Sequence, residues 1–316
     1  MKIDTLPNLS RSVVLYRGFT DVMKLFAAIM VAMGHYSSHA LDYVENPILR
    51  FFVMNGGSIG VAIFFFLSGY GLMMSEMKKH LGLFAFMKRR LMKVYLPVVF
   101  VSAIWGIVKW PNGSGFEHLP DYAYTVFIGF GDGILWFIRV ILVMYLMFFI
   151  YTRIRTNRYW RMPALIAGTV AAYVLVLLWQ ADWCAISIPI FTLGIVVAEY
   201  NEFVYRIARS WRIMIWLLLV SALMGMLFMH FGNLYAHAWI NYVVITAVVV
   251  LCAYRTIKVD VPDWVGGVSY DVYLTHNKVI NYCLPIYGYI GLHHFIIGTV
   301  ITATASYSLR KMLRIQ

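Results

Sequence analysis

Acidic residues are scarce in this sequence: 14 Asp and Glu stand against 26 Lys and Arg in 316 residues, a formal net charge of +12. Charge of either sign is thin as well, at 13% of residues against the roughly 25% of a soluble domain. With 62% hydrophobic residues and a mean hydropathy of +0.75, a soluble multidomain enzyme is excluded. Cysteine is nearly absent. Cys184, Cys252 and Cys283 lie scattered in apolar runs, which gives neither a disulfide framework nor a metal-ligand spacing. Small buried hydrophobes are their expected role. No cleavable signal peptide is expected, because the first twenty residues hold Pro7, Asn8, Ser10 and Arg17 and lack an apolar core. Internal repeats, low-complexity tracts and soluble appendages are missing too. One membrane domain over residues 1–316, without a fused extracytoplasmic domain, is the expectation.

What is present is apolar sequence in span-sized pieces. Stretches near 21–40, 57–76, 94–110, 133–152, 162–180, 183–200, 213–231, 238–254, 264–284 and 290–309 each approach the ~20 residues that cross a hydrocarbon core. The predicted fold is therefore all-α, a polytopic membrane bundle of about ten transmembrane helices. Segments 41–56 and 111–132 are read as non-spanning, and the second, with Pro111, Asn112, Gly113, Ser114, Gly115 and Pro120, as an exterior loop. If both termini are cytoplasmic, the inner segments hold 22 of the 26 Lys and Arg residues, leaving Arg50, Lys109, Arg139 and Lys278 elsewhere. That asymmetry follows the positive-inside rule and accounts for the basic charge without nucleic acid.

Against this apolar background the ionisable residues stand out, because such groups inside a membrane are costly and mark function by default. Lys24 and His35 are eleven positions apart, about three helical turns, so they share one face roughly 16 Å apart along the axis. Asp21 lies one turn before Lys24 and is placed to pair with it. Histidine is the side chain that exchanges protons near neutral pH, which makes His35 a candidate general base. His39, four residues on, opens a metal reading, but no carboxylate or cysteine stands beside the pair and no metal is expected.

Other segments admit two readings each. Residues 56–71 mix Gly and Ser with an aromatic cluster; the small residues suit helix packing, while Ser68 and Gly69 suit a cavity offering a hydroxyl, with Tyr70 a further candidate donor. The stretch 84–97 interleaves Lys88, Arg89, Arg90 and Lys93 with apolar residues, as an interfacial helix does. Arg90 and Lys93, three apart, also form a two-cation clamp suited to phosphate. Arg139, Tyr270, Asp271 and His276 lie in later spans and are candidates to converge with His35.

Taken in order, Asp21-x-x-Lys24-x10-His35, Phe64-Phe-Phe-Leu-Ser-Gly-Tyr70, Lys88-Arg-Arg-x-x-Lys93 leading to Pro97, Leu135-Trp-Phe137 and Gly267-Val-Ser-Tyr-Asp-Val-Tyr-Leu-Thr-His276 resemble the membrane acyltransferase 3 family from about residue 15 to 310. The resemblance implies transfer of an acyl group, acetyl above all, from acetyl-CoA as co-substrate to a hydroxyl of a carbohydrate, glycolipid or other cell-envelope acceptor. It implies a catalytic role for His35 with Lys24, and places the family's two-arginine motif on Arg90 and Lys93. Lysine stands at both basic positions where arginine is common, keeping charge but losing the bidentate fork. The implied setting is the bacterial cytoplasmic membrane; self-association into a homo-oligomer is left open. The competing reading is a transporter or flippase for an envelope precursor, against which stands the lack of an inverted repeat.

Overall fold

The computed structural model describes residues 14–39, 45–109, 136–154, 157, 159–231, 233–255, 257–288 and 290–313. Among the described residues the regular structure is entirely helical. Among the described residues each of the ten apolar stretches is mainly helical, with 183–200 divided between two helices. Helix α1 spans Arg17–His39; α2 (Pro47–Phe51) runs through a π turn, Phe52–Gly56, into α3 (Gly57–Lys78). A similar pair follows, α4 (Leu83–Arg90) passing through a π turn, Leu91–Tyr95, into α5 (Leu96–Lys109). Then come α6 (Trp136–Ile154), α7 (Arg161–Leu177), α8 (Asp182–Ala185), α9 (Ile188–Glu199), α10 (Asn201–Ala208), α11 (Trp211–Phe231), α12 (Asn233–Arg255), α13 (Trp264–Tyr287) and α14 (Leu292–Met312).

Four helices among the described residues are long and apolar enough to cross a membrane: Pro47–Lys78, Trp136–Ile154, Asp182–Glu199 and Ala236–Arg255. The bent pair Asn201–Ala208 and Arg212–Leu227 makes a fifth if it acts as one span. Helices α1 and α13 are of spanning length, at 23 and 24 residues, but dilute their apolar surface with the polar residues that build the site. Ile166, Val170 and Val174 form an exposed apolar stripe on α7, and Leu218, Leu219 and Val220 expose another on α11. Such faces suit contact with lipid.

Two boundaries differ from the sequence expectation. Residues 47–56, read as part of a non-spanning stretch, extend α3 as one helical run. The signals were present, since the Asn46 side chain accepts from the Ile48 and Leu49 amides and Pro47 occupies the first turn. The basic segment 84–97 continues straight into α5 despite Pro97. Proline has no N–H and crowds the carbonyl four residues back; the π turn widens the helix there, and the Leu96 amide bonds instead to the Leu91 carbonyl. The expected 111–132 loop lies outside the described residues.

Helix α3 is the axis of the bundle, packing against α1 on one side and α9 on another. Close approach requires glycine. A Cβ on Gly60 would stand 2.5 Å from the Ala27 carbonyl oxygen, and one on Gly69 only 2.1 Å from that of Phe191. The two readings of residues 56–71 divide between positions: Gly60 and Gly69 pack helices, so Gly69 does not open a cavity, whereas Ser68 and Gly71 line one.

Candidate functional site

The cavity lies at the basic end of the bundle and measures about 810 Å³. Its wall carries seven cations, Arg17 and Lys24 from α1, Arg89, Arg90 and Lys93 from the α4–α5 run, and Arg310 and Lys311 from α14, against one acid, Asp263. Part of this charge is compensated. Lys24 Nζ sits 2.7 Å from Asp21 Oδ1, and Arg17 lies 2.9 Å from Asp263. No acid partner is recorded for Arg89, Arg90 or Lys93 among the described residues.

Arg90 is held by rings rather than carboxylates. Its guanidinium lies 5.5 Å from the Phe86 ring centre and 5.8 Å from that of Tyr145, within cation–π range. Burial pushes its pKa below the usual arginine value, yet arginine starts so high that the charge persists. Its Nε is buried with no hydrogen-bond partner among the described residues. Lys93 is also pushed down, first by partial burial and then by Arg89, Arg90, Lys24 and Arg17 crowding it with like charge. An excess of cations that lower one another's affinity for protons, with an orphaned guanidinium donor among them, fits a polyanionic ligand such as a nucleotide phosphate.

The rest of the wall is aromatic and apolar, with Phe64, Phe137, Ile141, Tyr145 and Tyr270. Behind it a ladder of rings climbs α13. Residues three apart on a helix are neighbours, and Tyr270, Tyr273 and His276 follow one another with ring centres 6.3 and 6.0 Å apart. The Tyr270 hydroxyl donates to the Val94 carbonyl at 2.6 Å, tying the foot of the ladder to the basic segment. Tyr273 packs against Phe64 at 5.7 Å and Phe137 at 5.4 Å. At the top, the His276 ring faces the half-buried His35 with centres 5.2 Å apart. A carbonyl can only accept, so the 3.1 Å contact from His276 Nδ1 to the Val272 oxygen makes Nδ1 the protonated nitrogen. His35 therefore points into the bundle. Aromatic side chains separate it from the cavity.

The structure distributes the sequence candidates as follows. Lys24, Ser68, Arg89, Arg90, Lys93 and Tyr270 line the cavity, and His35 and His276 meet beyond its aromatic end. Tyr70 lines an adjoining pocket of about 490 Å³, where its hydroxyl accepts from the Leu15 amide at 3.1 Å. Arg139 does not converge with the histidines. Two positions along a helix is ~200°, so with Phe137 turned to the cavity Arg139 is turned away, toward Gln180 Oε1 at 3.3 Å and the Trp179 ring. Asp271 does not join them either; its carboxylate is fully buried in an ion pair with Arg310. His39 is exposed on α1, and no group of three His, Cys, Asp or Glu able to hold a metal occurs among the described residues.

Sequence reasoning missed Arg310 and Ser306, having counted Arg310 only as an inside positive charge. Their spacing of four on one helix face was the available signal, given a buried aspartate in need of a partner. Residues 17–311 match a family model described as an acyltransferase domain, that of the acyltransferase 3 family. No curated relative and no solved structure matches the chain. The cationic cavity, the ring ladder and the paired histidines all fall within the matched region, which is nearly the whole chain: the protein belongs to the acyltransferase 3 family and is a membrane-type acyltransferase.

Proposed function

We propose that the protein moves an acetyl or other short acyl group from acyl-CoA, bound from the cytoplasm, to a hydroxyl of a carbohydrate or glycolipid of the cell envelope. The observation that carries this reading is the seven-cation cavity whose aromatic end is linked by stacked rings to His35. CoA carries a pyrophosphate and a further phosphate, and charge-assisted hydrogen bonds to such groups are worth about 1.5–3 kcal/mol each. Arg89, Arg90 and Lys93 would hold them, leaving the pantetheine arm to follow the apolar wall toward Phe64 and Phe137. The aromatic side chains between cavity and histidines would shift to admit the thioester.

At His35 the neutral imidazole takes the proton of the acceptor hydroxyl as its oxygen bonds to the thioester carbon. The tetrahedral intermediate then expels sulfur, the C–S bond breaks, and the imidazolium returns its proton to the leaving thiolate, giving the ester and free CoA thiol. His276, with its Nδ1 proton committed to Val272, offers Nε2 as an acceptor beside that imidazolium. Ten spans, both termini inside and residence in a bacterial cytoplasmic membrane complete the reading; the concentration of Lys and Arg in the inner segments supports that topology.

Purified protein in detergent, given acetyl-CoA and an envelope polysaccharide, should release free thiol and acetylate the glycan. His35→Ala should lower the rate ~10²–10⁴-fold, the usual contribution of a general base. Full activity in that variant would remove His35 from the mechanism. Absence of thiol release with every hydroxyl acceptor would defeat the functional reading itself.

A further inference from the structure

Three of the groups that hold the last two helices together form one network at the cavity wall. Arg310 Nε donates to Asp271 Oδ1 at 3.0 Å and its Nη2 to Oδ2, a two-bond fork, while the Ser306 hydroxyl donates to Oδ1 at 2.6 Å. Asp271 is wholly buried, and the Arg310 side chain is only 7% exposed. Nevertheless Arg310 lines the cavity, as the basic α4–α5 segment does.

A helix–helix tie alone does not explain this choice of residues. Replacing a buried ion pair by packed apolar side chains is often neutral or stabilising, and membrane helices associate through small residues without one. A guanidinium, however, has five N–H donors in a rigid plane, so one carboxylate can fix its orientation while other donors serve a ligand. Because Asp271 offsets its charge, Arg310 contributes direction more than attraction. The bulk attraction comes from Arg89, Arg90 and Lys93.

We propose that Arg310 is a phosphate-binding residue of this site and that Asp271 and Ser306 are positioning residues that aim it. This rests on the acyl-CoA reading above and adds to it a second helix, so that the nucleotide end of the donor is gripped from α14 as well as from the α4–α5 run. The phosphate-bearing occupant could otherwise be an anionic lipid headgroup, and the experiment separates the two.

The test compares acetyl-CoA with acetyl-pantetheine, which has the same thioester and no phosphate, in the detergent-solubilised full chain. Arg310→Lys keeps a cation beside Asp271 and so preserves folding, but loses the planar fork. Expected is a rise in KM for acetyl-CoA, with the ratio of kcat/KM for acetyl-CoA over acetyl-pantetheine falling at least tenfold. Asp271→Asn and Ser306→Ala should lower the same ratio by smaller factors. A merely structural tie would depress both donors alike, and an unchanged ratio overturns the proposal. A loss in Arg310→Lys that tracks added phosphatidylglycerol and not the donor would assign the arginine to lipid and overturn it as well. Wild-type protein that shows no preference for acetyl-CoA over acetyl-pantetheine would defeat the CoA reading instead, independently of Arg310.

Discussion

Gly266 offers a stringent test of how the Lys24 end of the site is assembled. A Cβ built at this position would lie 2.5 Å from Asp21 Oδ1, 2.6 Å from its Cγ and 3.1 Å from Oδ2, and its three nearest neighbours are all atoms of that one carboxylate. Asp21 is only 9% exposed and is held by Lys24 Nζ at 2.7 Å and Arg17 Nε at 3.8 Å. Gly266→Ala must therefore push the carboxylate off Lys24. A charge-assisted hydrogen bond is worth ~1.5–3 kcal/mol, and the 37% exposure of Lys24 reduces it toward ~1 kcal/mol. That ~1 kcal/mol is roughly a fivefold loss in kcat/KM if Lys24 must be held in place for catalysis, and overpacking adds ~1–3 kcal/mol to the loss of thermal stability. The decisive measurement is a double-mutant cycle on thiol release and thermal stability. In Asp21→Ala the obstacle is gone, so adding Gly266→Ala should have little further effect, with a coupling close to the full single-mutant loss. Additive losses would refute the reasoning, because they would mean that Gly266 matters for some neighbour other than Asp21.

Two further expectations follow from the geometry. Gly69→Ala should prevent correct assembly of α3 against α9, since its Cβ would stand 2.1 Å from a backbone oxygen that cannot rotate away; loss of monodisperse protein on size exclusion is the readout, and normal yield and melting temperature would contradict it. Lys93 gives a pH dependence. Its pKa lies below the usual 10.5, so the cation is lost at lower pH than for a free lysine, and a bound polyanion favours the charged form. Affinity for CoA should therefore be full below the lowered value and fall as pH rises through it toward 10.5. Lys93→Arg, which stays charged, should flatten that alkaline limb in a binding titration; an unaltered limb would show that another group controls it.

What could be read from the sequence was local. The Asp21–Lys24 contact depends on i,i+3 spacing within one helix, and the shared face of Lys24 and His35 depends on helical period alone. Both survive because a helix carries its own geometry wherever it is placed. The cluster Arg89, Arg90 and Lys93 reached the cavity for the same reason, even though a π turn intervenes before Pro97. The partners supplied by other helices were not legible. His35 and His276 are 241 positions apart, and Asp271 and Arg310 are 39 apart on adjacent helices. Pairing them requires knowing which helices touch and which faces they turn inward.

That second piece of knowledge is what a membrane chain hides. In a soluble protein the hydrophobic stripe tells which side of a helix is buried, but a helix that meets lipid on one side and protein on the other is apolar all round. On α6 the sequence put forward Arg139 as the inward residue. Polar rarity argued for Arg139, yet the cavity took the phenylalanine, because its ring packs with Phe64 and Tyr273 while the guanidinium finds Gln180 and the Trp179 ring on the opposite side. The same uncertainty disguised Asp271, whose place in the span of His276 suggested convergence with His35 but whose ~100° rotation from Tyr270 sends it to α14 instead. A buried charge in such a chain is thus a reliable sign that a partner exists, and a poor guide to where. The most informative sequence feature would have been the unmatched buried acid itself: once Asp271 is placed inside the bundle, a cation at helical spacing on a neighbouring span has to be sought, and Arg310, four residues after Ser306, is the one the structure supplies.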